Sequence, residues 1–128
     1  MPFKPVSPPS CLTANGQRFS SLDECLKHHQ ALIWFTYRKN CKINLTIGSD
    51  MGWGCMIRTA QMLLAQALRT YFHQRGVYPE PSYIVSAFLE SETKSKYTLD
   101  RFMQMASSLY HKNAGDWFSI TEVALMLQ

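Results

Sequence analysis

No apolar run in this sequence approaches the ~18 residues that a membrane-spanning helix needs. Nor does an apolar stretch follow the proline-rich opening MPFKPVSPPS, as a secretory signal would require. A soluble, cytoplasmic chain with reduced thiols is therefore expected. Close cysteine pairs are missing too. Cys11, Cys25, Cys41 and Cys55 stand fourteen, sixteen and fourteen positions apart, which excludes the usual zinc spacings. Cys25 with His28 or His29 is the nearest approach to a ligand pair, so neither a metal nor a cofactor is expected. Charged residues make up only 17% of the chain, and the net charge of +4 is scattered, with only Arg38, Lys39 and Lys42 clustering. Without a basic stripe or a recognisable reading element, nucleic acid is not an expected partner. Internal repeats and low-complexity segments are also lacking.

What is present is a chain of 128 residues, 46% of them hydrophobic, long enough for one core and too short for two ordinary domains. Its low charge suits a segment that packs on something else. Residues 1–18 carry Pro2, Pro5, Pro8 and Pro9, then Asn15 and Gly16, and read as a mobile N-terminal arm ending in a turn. Ser21 with Glu24 fits a capping box, predicting a helix from Leu22 through Leu26 to the cluster Leu32, Ile33, Trp34 and Phe35. Tyr37 follows in WFTYRKN. Its ring reads either as core, which its apolar N-terminal neighbours favour, or as a hydrogen-bond donor facing a site.

Further along, SYIVSAFLESE at Ser82 to Glu92 predicts a helix, with a strand as the weaker reading. Thr98 predicts the N-cap of a helix carrying Leu99, Phe102, Met103, Ala106, Leu109 and Tyr110, ended by Asn113 to Gly115. Ser119, with Glu122 three residues on, predicts a last helix holding Val123, Ala124, Leu125 and Leu127.

The strongest chemical signal lies at Ser49 to Leu68, SDMGWGCMIRTAQMLLAQAL. Gly52 and Gly54 bracket Trp53 and allow a tight turn that lies open to a ligand. From Cys55 on there is no Gly or Pro until Gly76, and Ala60, Leu63, Leu64, Ala67, Leu68 and Tyr71 share the spacing of one helical face. Cys55 therefore falls on the first turn of a long helix. Leading N–H groups and the positive end of the helix dipole favour a thiolate there, which makes Cys55 a candidate nucleophile. A cysteine between Trp and Met on an apolar helix is equally a core residue by type, and no base is adjacent in sequence.

Three blocks, WFTYRKN at Trp34 to Asn40, SDMGWGCMIRTAQMLLAQAL at Ser49 to Leu68, and AGDWF at Ala114 to Phe118, resemble the signature blocks of the autophagins. These are autophagy cysteine proteases of the papain-like clan. The resemblance implies an α+β, papain-like fold, of which residues 19–128 supply the mainly helical N-terminal part of the peptidase domain. It also implies Cys55 as nucleophile, Tyr37 as an oxyanion-hole donor, and Trp117 over a substrate cleft to which Trp53 and Gly54 belong. The implied reaction is cleavage after the C-terminal glycine of a ubiquitin-like autophagy modifier, in its precursor or when conjugated to phosphatidylethanolamine. Peripheral membrane contact would come only through that lipidated partner.

Two departures stand out. The family's Asp-Pro-His block, source of the base and its orienting carboxylate, does not occur, and His28, His29, His73 and His111 do not match it. Ser119 and Ile120 also stand where the family usually has Gly-Pro. The expectation is thus a thiol protease segment that is inactive alone, and the alternative is a non-catalytic homologue that binds the modifier.

Overall fold

The computed structural model describes residues 12–14, 16–43, 46–90 and 95–128. They fall into two units, residues 1–32 and 33–128. In the first unit, β1 (Leu12–Ala14) pairs antiparallel with β2 (Gln17–Phe19). The described end of the expected arm is therefore a hairpin; residues 1–11 lie outside the described set. Gly16, at φ 75°, supplies the left-handed residue of its turn. Helix α1 (Leu22–Gln30) follows, and Ser21 Oγ accepts the Glu24 N–H at 3.2 Å. The Glu24 carboxylate takes the N–H and hydroxyl of Ser20, one residue outside the standard box.

Helix α1 stops at Gln30, short of the apolar cluster that the sequence reading assigns to it. The cause is the alternation in Ile33, Trp34 and Phe35. Ile33 and Phe35 turn inward and Trp34 is exposed, the period of an extended chain. The second unit thus begins with an extended segment. It is followed by β3 (Cys41–Ile43) and β4 (Thr46–Gly48), paired antiparallel with Cys41 opposite Gly48 and Ile43 opposite Thr46.

Helix α2 (Cys55–His73) is the long element expected. Its buried side differs from the expected one. Ile57, Arg58, Ala60, Gln61 and Ala65 are buried, whereas Leu63 and Tyr71 are exposed. Helix α3 (Pro81–Val85) opens on Pro81, whose missing N–H costs nothing at a first turn, and tightens into a 3₁₀ turn at Ser86–Phe88. The helix predicted over Ser82 to Glu92 is therefore real but shorter, with 91–94 outside the described residues.

Helix α4 (Leu99–Tyr110) starts where predicted, Thr98 Oγ1 accepting the Arg101 N–H at 3.1 Å. It ends earlier than predicted, at a left-handed His111, where the Lys112 N–H closes on the Ala106 carbonyl. Helix α5 (Ile120–Met126) carries a complete capping box between Ser119 and Glu122.

Two apolar clusters organise this unit. The larger gathers Ile43, Trp53, Ile57, Leu99, Phe102, Met103, Ala106, Phe118, Val123 and Met126, so it joins β3, the first turns of α2, α4 and α5. The smaller packs Ala65, Ile84 and Phe88 with Ile33, Phe35, Leu64 and Leu68. Tyr97 packs against both. Among the described residues the chain mixes five α-helices with two two-stranded antiparallel sheets, and no described helix is long and apolar enough to cross a membrane.

Candidate active site

Between β4 and α2 the chain makes a turn held by one backbone carbonyl. Asp50 C=O accepts the Trp53 N–H at 3.3 Å and the Gly54 N–H at 2.9 Å. Gly52 sits at φ 84°, a left-handed conformation that a side chain would strain. Gly54 is glycine for a different reason. It is buried against Asp50, and a Cβ there would lie 2.7 Å from the Asp50 Cβ and 2.8 Å from its Oδ2. Cys55 follows as the first residue of α2, its side chain exposed. A core role for this thiol is thereby excluded. Its carbonyl accepts the Thr59 hydroxyl at 2.8 Å.

Trp53 faces the other way. Only 8% exposed, it belongs to the larger apolar cluster, and its Nε1 donates to the Ser49 carbonyl at 2.9 Å. Expected in the cleft together with Gly54, it instead supports the turn from beneath. Its indole has more apolar area to bury than any other side chain of the turn, and the core lies directly behind.

Tyr37 is 46% exposed, so the core reading of its ring is also excluded. It lies on the extended segment, and the next N–H, that of Arg38, donates to Asp50 Oδ1 at 2.8 Å. The other Asp50 oxygen takes Arg58 Nε at 2.7 Å, in an ion pair with Asp50 fully buried and Arg58 nearly so. Burial alone would push the Asp50 carboxyl up. The Arg58 hydrogen bond and charge, with the Arg38 N–H, outweigh it and hold the group below the usual carboxylate range.

The network continues inward from Arg58. Its Nη1 donates to Gln61 Oε1 at 3.0 Å, and Gln61 Nε2 donates to the Tyr97 carbonyl at 2.7 Å. Glu90 Oε1 lies 3.8 Å from Arg58 Nη1 and accepts the Leu99 N–H at 2.7 Å. Burial pushes the Glu90 carboxyl above its ordinary value despite these partners. The neighbouring Cys41 thiol is also pushed up, first by burial and then by the Asp50 and Glu90 charges. A groove of about 460 Å³ runs along this flank past Phe35, Arg38, Cys41, Arg58 and Glu90. Cys55, Tyr37 and Trp117 are not among its lining residues.

Trp117 is 76% exposed, on the loop between α4 and α5. The loop is pinned at its base. Asn113 and Asp116 close a turn, the Asn113 N–H donating to Asp116 Oδ2 at 2.7 Å. Lys112 Nζ donates to the Trp117 carbonyl at 2.6 Å and to Glu122 Oε1 at 2.8 Å. The Lys112 ammonium and the Ser119 N–H bring the Glu122 carboxyl down to about 2. Phe118, next in sequence, is buried in the cluster that also holds Trp53 and Ile57. Trp117 and the start of α2 thus share a foundation.

Asp50, Arg58 and Gln61 were not among the residues that the sequence singles out. A signal was available: Arg58 and Gln61 follow Cys55 at successive intervals of three, on the first two turns of α2 among Met56, Ile57 and Ala60. Polar groups at helical spacing on an apolar helix mark a buried network when that face turns inward. No histidine joins Cys55 through α2 itself. His73 is at the far end, roughly 27 Å along the axis at 1.5 Å per residue. His111 is exposed at the end of α4. Among the described residues no group of three His, Cys, Asp or Glu side chains could hold a metal ion.

The start of α2 thus presents an exposed thiol, the segment bonded to its turn carries a half-exposed phenol, and the loop before α5 carries an exposed tryptophan. The chain belongs to the family described as Peptidase C54 catalytic domain, whose model matches residues 22–128. It is similar to Cysteine protease ATG4B of Gallus gallus, 33% identical over 120 residues that cover 86% of this chain and 30% of that protein. Similarity extends to Cysteine protease ATG4B of Xenopus laevis, 34% identical over 125 residues, 88% of this chain and 32% of that one. A probable cysteine protease atg4 of Schizosaccharomyces pombe is 36% identical over 91 residues, 71% of this chain and 27% of the relative. The chain spans about a third of the length of these curated relatives.

Proposed function

We infer that this chain supplies the nucleophile-bearing part of a papain-like thiol protease acting after the C-terminal glycine of a ubiquitin-like autophagy modifier. The observation that carries the reading is the exposed Cys55 at the start of a 19-residue helix, with Tyr37 on a segment bonded to the same turn. In this mechanism the Cys55 thiolate attacks the carbonyl carbon of the modifier's terminal glycine. The C–S bond forms as the carbonyl π pair moves to oxygen. The Cys55 backbone N–H, one of the leading donors of α2, and the Tyr37 hydroxyl receive that oxyanion. Trp117 over the cleft narrows it to a slot in which glycine fits and a side chain does not. The same chemistry serves a precursor and a phosphatidylethanolamine conjugate, since only the leaving amine differs.

Collapse of the adduct needs an acid to protonate that amine, and a base to prepare the thiol and later water. His73 is too far along α2 for this work, so the base and its orienting carboxylate are assigned to residues outside this chain, which alone is inactive. That same observation favours a second reading, in which the chain captures the modifier without turning it over.

The test is incubation of the purified chain with a modifier precursor and, separately, with a modifier bearing a C-terminal electrophile, against Cys55→Ala. A Cys55-dependent adduct without precursor cleavage is expected. Cleavage would show that a base is present in the chain. No adduct from a folded chain overturns the thiol-protease reading, and retained binding of the modifier would then select the second.

A further inference from the structure

Asp50 makes bonds in two directions. Its backbone carbonyl holds the turn that ends in Gly54, immediately before Cys55. Its carboxylate holds the N–H of Arg38, immediately after Tyr37, at 2.8 Å. Among the described residues the segment bearing Tyr37 has no strand partner between residues 33 and 38, so this bond substitutes for a sheet ladder. Arg58 completes the arrangement. Its Nε occupies the second carboxylate oxygen at 2.7 Å, while Nη1 anchors the guanidinium to Gln61 on the same helix.

We propose that Asp50 is a positioning residue, which, backed by Arg58, fixes the Tyr37 hydroxyl relative to the Cys55 thiol for oxyanion stabilisation. This rests on the thiol-protease reading above, and it adds a requirement that neither Cys55 nor Tyr37 reveals alone. The geometry explains why a charged pair is kept in a site where apolar residues would be less costly. Only a carboxylate offers acceptors to two donors approaching from opposite sides. An asparagine has one oxygen and one NH₂ group, and the charged Arg58 would claim the oxygen. The NH₂ would then face the Arg38 N–H, donor against donor, and push the Tyr37 segment away.

The experiment compares two reactions at one thiol. With acetyl-Gly-glycinal, the Cys55 sulfur adds to the aldehyde carbon, a C–S bond forms, and the carbonyl oxygen takes the negative charge or the thiol proton. That adduct needs the oxyanion donors. Alkylation by iodoacetamide displaces iodide at a saturated carbon and needs none. Asp50→Asn is expected to weaken hemithioacetal formation about tenfold, with the iodoacetamide rate within about twofold, the loss being a fraction of that caused by deleting a whole oxyanion donor. In the Tyr37→Phe background the same substitution should change aldehyde affinity by less than about twofold, because the group it positions is gone.

Equal weakening in both backgrounds, or none in either, overturns the proposal while leaving the thiol-protease reading intact. No aldehyde capture by the unsubstituted, folded chain overturns both. Amide exchange on the unsubstituted chain covers the case in which Asp50→Asn does not fold. Protection of the Arg38 N–H above that of its neighbours on the extended segment is expected, and its absence overturns the proposal.

Discussion

Gly54 and Asp50 are in contact so close that no β-carbon fits between them: one built on Gly54 would sit 2.7 Å from the Asp50 Cβ. Asp50 cannot yield, because its carboxylate is held by Arg38 and Arg58 and its carbonyl by the turn. Gly54→Ala should therefore cost about 1–3 kcal/mol, the usual range for overpacking a rigid site. The cost is read as a lower urea midpoint at unchanged slope. A midpoint equal to that of the unsubstituted chain would mean that Asp50 is free to move.

Gly52 gives the contrasting case. Nothing lies within 4 Å of a Cβ there, so only its φ of 84° resists substitution. Gly52→Ala should cost about 1–2 kcal/mol through backbone strain, and Gly52→Asn less, since asparagine tolerates the left-handed region. Equal losses for the two variants would point to a packing cause.

Alongside the buried Asp50, Glu122 should carry part of the response to acid. Its folded carboxyl is brought from 4.5 to about 2, so the folded state favours the charged form. The stabilisation is complete above about 4.5 and lost as pH falls to about 2. Glu122→Gln should flatten the stability profile across that window. Denaturant titrations at several pH values check this, and an unchanged slope would locate the acid sensitivity elsewhere.

Glu90 works in the opposite sense. Burial raises its carboxyl, so the folded state binds the proton more tightly than the unfolded chain does. That contribution is present below the unfolded value of 4.5 and lost as pH rises through the raised folded one. Glu90→Gln, which keeps an acceptor for the Leu99 N–H, should remove this loss and make the chain more tolerant of neutral pH. The loosened Arg58 contact limits the gain, and a net destabilisation at pH 7 would show that the contact outweighs the burial.

His73 and His111 should be irrelevant to the thiol. In His73→Ala and His111→Ala the pH profile for alkylation of Cys55 should superimpose on that of the unsubstituted chain. His73→Ala should still lose some stability, because the ring packs on Tyr78 at 4.9 Å between centroids. A displaced pH profile in either variant would identify a base that the geometry does not supply.

Local signals in the sequence were reliable where one residue type does one job. Thr98 and Ser119 cap the helices that they announce, and Cys55 begins α2 as the glycine turn implies. Periodicity failed where it ranked residues by hydrophobicity alone. It assigned Leu63 and Tyr71 to the core face of α2, yet Arg58 and Gln61 occupy the interior because their partners Asp50 and Tyr97 come from distant segments. No local window contains those partners. For the same reason the sequence left Tyr37 between core and site: its neighbour Arg38 is bonded to a residue twelve positions away. The candidate residues could be named from the sequence, while the buried network of Asp50, Arg58 and Gln61 could not.

Trp117 hangs from a fixed backbone, with its carbonyl taken by Lys112 and its neighbour Phe118 buried, yet its ring is 76% exposed. The two parts of this residue therefore live on different clocks. An exposed side chain changes rotamer within picoseconds to nanoseconds, whereas a loop anchored at both ends moves in nanoseconds to microseconds or more slowly. The indole can therefore turn while the backbone that carries it stays in place.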